Sequence, residues 1–147
     1  SASPVPSSRA ARILFAEDDP VNLLAGRLML ESAGYRITEA QDGREVLDRL
    51  ASEPFDLILM DIQMPGINGM EAAASIRGGA LGREKAGIPI IALTAYAALR
   101  DKENVLAAGM DACLTKPVSR EELLAAVKEL LRQGRASLYE PRSTRKD

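Results

Sequence analysis

Short apolar runs alternate with longer segments of helical period along this chain. Ile13-Leu14-Phe15-Ala16 is the first run and ends in acids. Asp19-Pro20 then predicts a helix start, with Asp19 as N-cap and Pro20 at the first helical position. Leu23, Leu24, Leu28, Met29 and Leu30 form its predicted apolar face, and Gly34 ends it. Tyr35 to Glu39 reads as a second strand. Asp42 caps a second helix, with Glu45 completing a capping box. Phe55 to Met60 carries Leu57-Ile58-Leu59-Met60, whose unbroken apolar character predicts a strand buried on both faces. Asn68-Gly69-Met70-Glu71 opens a third helix, and Gly78 to Gly87 reads as a loop. Ile88 to Leu93 is the fourth strand. A fourth helix from about Ala97 to Ala108 stops at Gly109, and Met110 to Leu114 is a short fifth strand. Ser119-Arg120-Glu121-Glu122 is a capping box opening the last helix. Five strands, each followed by a helix, make an α/β domain: a parallel sheet in a three-layer αβα arrangement.

The ends of the chain lack this periodicity. Residues 1–10 begin SASPVPSS and read as a linker, 11–133 as the folded domain, and 134–147 as a polar C-terminal tail. The first residue is Ser1, so a processed or excised piece of a longer chain is expected. At 147 residues there is one domain's worth of sequence. Hydrophobic residues at 46% and charged residues at 27% exclude disorder over most of the length. A net charge of −2 offers no electrostatic footprint for nucleic acid or an anionic membrane. Cys113 is the single cysteine and there is no histidine. Intramolecular disulfides, histidine-ligated metals and Ser–His–Asp triads are thereby excluded. The chain has no run of 18 apolar residues and no signal-peptide pattern, so a cytoplasmic location is expected.

In an open parallel sheet, ligands bind at the carboxyl ends of the strands. Those ends carry Glu17, Asp18 and Asp19 after strand one, Asp61 after strand three, Thr94 after strand four and Lys116-Pro117 after strand five. Taken singly, most have bland explanations. Asp19 is a helix cap, Thr94 a β-branched strand end, Lys116 a solvated lysine. Asp61 is different, because it follows four apolar residues where an unpaired carboxylate is costly. Glu17, Asp18 and Asp61 together crowd several negative charges into one crevice. Two such charges about 4 Å apart repel by ~1 kcal/mol in water and ~4 kcal/mol at an effective dielectric of 20. A hard divalent cation relieves this, and Mg²⁺ suits oxygen ligands and retained waters. A carboxylate beside Mg²⁺, an ammonium and a hydroxyl is equipped to attack phosphorus.

The segments ILFAEDDPVN, LILMDIQMPGINGME, IPIIALTAYA and CLTKPV resemble the receiver domain of two-component response regulators. The likeness covers about Arg12 to Gln133. It implies the flavodoxin-like receiver fold with sheet order 2-1-3-4-5, which sets strands one and three side by side. It implies Asp61 as phosphoacceptor, Asp18 as a direct ligand of Mg²⁺ (or Mn²⁺), Glu17 acting mainly through water, and the Gln63 backbone carbonyl as a further ligand. Thr94 and Tyr96 are the implied switch residues and Lys116 the phosphate-binding lysine. The resemblance also implies a cis Lys116-Pro117 bond. Asp19-Pro20-Val21-Asn22, Gln63-Met64-Pro65 and the long GGALGREKAG loop resemble bacterial receivers attached to hybrid sensor histidine kinases. The implied activity is self-catalysed phosphorylation and dephosphorylation of an aspartate in a phosphorelay. The implied partners are a sensor histidine kinase, a histidine phosphotransfer protein, or both, with no nucleic acid and no direct membrane insertion. The 14 residues from Gly134 to Asp147 are too few for an output domain.

Three other readings compete. A haloacid-dehalogenase-type phosphatase needs an acid two residues after its nucleophile, where this chain has Gln63. A flavodoxin-like electron carrier needs a hydroxyl- and glycine-rich phosphate loop after strand one, where this chain has acids. A degenerate receiver serving only as a scaffold would not be expected to keep Asp18, Asp61, Thr94 and Lys116 together.

Overall fold

The computed structural model describes residues 10–64, 66, 68–95 and 99–139. Its strands are β1 (Arg12–Ala16), β2 (Arg36–Ala40), β3 (Leu57–Asp61), β4 (Ile90–Thr94) and β5 (Ala112–Thr115). Its helices are α1 (Pro20–Ser32), α2 (Gly43–Ser52), α3 (Gly69–Arg77), α4 (Arg83–Ala86), α5 (Leu99–Ala107) and α6 (Arg120–Tyr139). The five strands form one parallel sheet in the order β2-β1-β3-β4-β5. This is the expected αβα architecture, and the first crossover from β1 to β2 places the reversal of strand order beside β1 and β3.

Side-chain alternation sorts the core into two layers. Leu14, Ala16, Ile58, Met60, Ile90 and Ala92 pack with Val46 and Leu50 of α2, Ala73 and Ile76 of α3 and Val105 of α5. Ile13, Phe15, Leu57, Leu59, Ile91 and Leu93 pack with Leu23 and Leu30 of α1 and Leu123 and Val127 of α6. Both faces being covered explains why β3 and β4 are apolar without alternation.

The helix starts follow the capping chemistry. Asp19 Oδ1 accepts from the Val21 and Asn22 amides at 2.9 and 3.4 Å. Asn68 and Glu71 form a reciprocal capping box, as do Ser119 and Glu122. At Asp42 only half of the expected box forms. Asp42 accepts from the Glu45 amide, but the Glu45 carboxylate takes the Gln41 amide instead.

Three expectations change. Leu24 and Leu28 are each 57% exposed, while Gly26 shares the buried face of α1 with Leu23 and Leu30. Gly26 is there because a Cβ would meet the Phe15 ring at 2.6 Å. The glycine-rich segment contains the single turn α4 within what reads as a loop. The last helix continues to Tyr139, six residues into the stretch read as tail.

Arg77, at the end of α3, holds this side of the domain together. Its guanidinium donates to the Gly109, Ala86 and Ile88 carbonyls at 2.6, 2.8 and 2.7 Å, and to Asp111 at 2.8 Å. Asp111 Oδ2 also accepts from the Ile90 amide. One side chain thus ties the α4 turn, the start of β4 and the entry to β5 to α3.

Candidate functional site

The backbone ladders continue just past the strand ends and fix the polar residues there. The Glu17 amide donates to the Ala40 carbonyl, the Ile62 amide to Leu93, and the Lys116 amide to Thr94 at 2.7 Å. Ala16 pairs with Met60 in register, so Glu17 and Asp61 follow at neighbouring strand ends. Glu17 continues the alternation of Ile13 and Phe15, and Asp61 that of Leu57 and Leu59. Both carboxylates therefore belong to the α1/α6 side of the sheet. Their burial follows, with Glu17 1% and Asp61 2% exposed.

A pair of buried carboxylates this close needs positive charge. Lys116 supplies it, with Nζ 2.9 Å from Asp61 Oδ2 and 3.0 Å from Glu17 Oε1. The cis Lys116-Pro117 peptide follows directly, as the resemblance implies. Asp61 Oδ1 accepts from the Gln63 amide at 2.9 Å, so both oxygens of Asp61 are held. Glu17 Oε2 accepts from the Asp19 amide at 3.2 Å. Glu17 Oε1 has the Lys116 ammonium 3.0 Å away as its ion-pair partner and has no other partner.

Burial pushes the Glu17 carboxyl above its ordinary range, and the charge of Asp61 adds to this. The Lys116 ammonium and the Asp19 amide oppose the shift without cancelling it. Burial works against the charged Lys116, but its two carboxylate partners outweigh that and raise it overall.

Among the described residues, Glu17, Asp18 and Asp61 each offer a carboxylate oxygen, all within 4.8 Å of one another. Asp18 is exposed and faces the open side of this group, whereas Asp19 is spent on capping α1. Oxygen donors, an exposed member that admits retained waters and a buried oxygen lacking a hydrogen bond fit a hard divalent cation such as Mg²⁺. Thr94 is fully buried at the end of β4 and paired in register with Thr115, one residue before Lys116. Tyr96 lies outside the described residues.

So the sheet brings together Glu17, Asp18, Asp61, Thr94 and Lys116 and sets the Gln63 amide on Asp61. The sequence reading does not foresee the ammonium bridging both buried acids. Lys116 follows β5, which β4 separates from β3, so neighbouring strand ends alone do not show that its side chain reaches both acids.

A family model for the response regulator receiver domain matches residues 13–128. The chain is a response regulator receiver domain. It is 41% identical over 121 residues to the sensor protein GacS of Pseudomonas syringae pv. syringae, covering 82% of this chain but 13% of that protein. It is 32% identical over 127 residues to the sensor protein EvgS of Escherichia coli K12, covering 86% of this chain and 10% of the relative. The receiver thus spans a small part of these curated relatives. In fold it is similar to the receiver domain of a sensor histidine kinase from Pseudomonas aeruginosa PAO1, with TM-score 0.76 and 38% identity over 84% of this chain and 98% of that one. That crystal structure has a magnesium ion coordinated in its active-site cleft. No helix among the described residues of the receiver is long and apolar enough to cross a membrane.

Proposed function

We propose that this receiver takes a phosphoryl group onto Asp61 from the phosphohistidine of a sensor histidine kinase or histidine phosphotransfer protein. The observation that carries this is the position of Asp61: 2% exposed, inside a three-carboxylate group, with the Lys116 ammonium 2.9 Å from Oδ2. A carboxylate oxygen of Asp61 forms the new O–P bond as the N–P bond of the donor breaks and the imidazole leaves. The chain has no histidine, so such a donor belongs to another polypeptide or to a region outside this sequence. Lys116 is placed to stay with the transferred group and meet its added charge. The Thr94 hydroxyl, at the adjoining strand end, is assigned to the same phosphoryl oxygens.

Glu17, Asp18, Asp61 and the Gln63 carbonyl are the residues that would hold Mg²⁺. When bound, the metal neutralises charge on the phosphoryl oxygens. The acids would supply its oxygen ligands, while Lys116 holds Asp61 and Glu17 from the other side. Water attack on the acyl phosphate returns the free carboxylate. A switch through Thr94 and Tyr96, a cytoplasmic setting and a hybrid-kinase parent complete the proposal.

The test is intact-mass spectrometry after incubation with Mg²⁺ and acetyl phosphate. One base-labile phosphoryl group is expected on the wild type and none on Asp61→Asn. Uptake by Asp61→Asn at the wild-type rate and stoichiometry contradicts the assignment. In Mg²⁺ titrations, Asp18→Asn should lose affinity while Asp19→Asn keeps it, because asparagine caps a helix about as well as aspartate. Equal losses would put Asp19 in the metal site.

A further inference from the structure

Asn68 is followed by Gly69 at the start of α3, which sets it apart from the other two asparagines of the chain. The carboxamide carbon of an asparagine can be attacked by the backbone nitrogen of the next residue. A glycine there leaves that nitrogen unshielded by any side chain. Asn22 instead precedes Leu23, whose amide is tied to the Asp19 carbonyl at 2.9 Å. Asn104 precedes the β-branched Val105 inside α5. The Gly69 amide stands at the first helical position, where no intrahelical acceptor exists.

The capping box holds these two groups out of reaction. Asn68 Oδ1 accepts from the Glu71 amide at 2.9 Å, and the Asn68 amide donates to Glu71 Oε1 at 3.1 Å. Asn68 has extended backbone with ψ 172°. Closing a five-membered ring onto the Gly69 nitrogen requires that torsion to turn and the carboxamide to leave the Glu71 amide. Gly69 is not free to follow. It is buried, and a Cβ on it would stand 2.7 Å from the Asp61 carbonyl oxygen and 2.8 Å from Ile62 Cα. Reaction therefore proceeds from an opened first turn of α3, not from the capped one.

We propose that Asn68 is a self-modification site gated by its own cap. The Gly69 nitrogen gives up its proton and bonds to Asn68 Cγ, the Cγ–Nδ2 bond breaks, and ammonia leaves with the proton. Water then opens the cyclic imide. Attack at Cγ gives aspartate; attack at the backbone carbonyl carbon gives isoaspartate, whose main chain runs through Cβ and Cγ. Aspartate caps a helix about as well as asparagine, so that product keeps α3 in place. Isoaspartate lengthens the main chain by one carbon next to a residue that has no room to move. That product unseats the start of α3 from Ile62 and the end of β3.

The test ages the full chain in mildly alkaline buffer, folded and in guanidinium chloride. Fragmentation of the tryptic peptide 50–77 then locates the amide-to-acid change. The folded chain should be modified at Asn68 at least about tenfold more slowly than the denatured one. Glu71→Ala removes one hydrogen bond of the box and should speed the folded reaction about threefold. Asn68→Asp should keep the wild-type urea midpoint, whereas the isoaspartyl chain, separated after ageing and returned to buffer, should have a lower one. An Asn68 that survives denatured ageing overturns the site. Equal rates in the folded and denatured chain, or no acceleration by Glu71→Ala, overturn the gate. A wild-type midpoint for the isoaspartyl chain overturns the unseating of α3. None of these arms uses phosphoryl transfer, so their failure leaves the role of Asp61 to its own test.

Discussion

Gly69 is the first residue of α3, eight positions after Asp61, and it has no room for a side chain. A Cβ there would stand 2.7 Å from the Asp61 carbonyl oxygen, 2.8 Å from Ile62 Cα and 3.1 Å from Met60 Cγ. Two of these three are backbone atoms. Neither side yields easily: β3 is paired with β1 and β4, and α3 is pinned by the Asn68–Glu71 box. Relief requires α3 and the end of β3 to separate by several tenths of an ångström. Overpacking of this kind costs typically 1–3 kcal/mol, and the gain in helix propensity is at most about 1 kcal/mol. For Gly69→Ala we therefore expect a net loss of about 1–2 kcal/mol, seen as a urea midpoint lower by roughly 0.5–1 M. The shift also moves the segment that carries Asp61. Small misplacements of reacting groups are expensive, so phosphorylation by acetyl phosphate should slow on the order of tenfold at temperatures where the variant is fully folded. Gly87→Ala is the control. It has φ −99° and nothing within 4 Å of an added Cβ, so it should be neutral or slightly stabilising. If Gly69→Ala matches the wild type within 0.5 kcal/mol and phosphorylates normally, the close approach of α3 to β3 does not constrain the site.

Arg77→Met keeps the aliphatic stem but removes four donated hydrogen bonds, three of them to carbonyls of the α4 turn, the β4 approach and Gly109. It should cost about 3 kcal/mol in urea unfolding, and a loss below about 1 kcal/mol would show that water replaces the guanidinium freely. Glu17→Gln addresses the raised carboxyl. In the folded chain a proton binds Glu17 more tightly than in the unfolded one, so stability falls as pH rises above 4.5 and levels off above the raised value. The variant minus wild-type stability should therefore grow between pH 4 and 7 in metal-free buffer, and a flat or reversed difference refutes the shift. Lys116 contributes with the same sign in a more alkaline window. Its support is full below 10.5 and fades as pH passes its raised value, so Lys116→Met should converge on the wild type in strong alkali.

The alternation of strands and helices was legible because each uses a different hydrophobic period, and the caps because Asp19, Asn68 and Ser119 precede amides in need of acceptors. The functional strand ends were legible for the same reason: acids, a hydroxyl and a lysine interrupt apolar runs at matching places. The facing of α1 was not. Apolar residues occupy so many of its positions that Leu24 and Leu28 fit a buried stripe as well as Leu23 and Leu30 do. The choice is made by the Phe15 ring, which demands a glycine opposite, and that contact joins residues on different elements. Arg77 was invisible for a similar reason, since an arginine at a helix end reads as solvated until Gly109 and Asp111 arrive from 32 and 34 residues away. Glu17 and Asp18 are adjacent acids with equal claims in the sequence. Only the side of the sheet on which each falls makes one buried and the other exposed.

The lysine that balances the site hangs from an edge strand. β5 has four residues, none fully buried, and β4 is its single neighbour in the sheet. Edge segments of this kind open at a fraction of the free energy needed to unfold the whole domain. Were β5 to open in this way, Lys116 would leave with it, and Glu17 and Asp61 would lose the ammonium they share. The acids themselves, on the central strands, stay where they are. The site therefore has a fixed anionic half and a detachable cationic half.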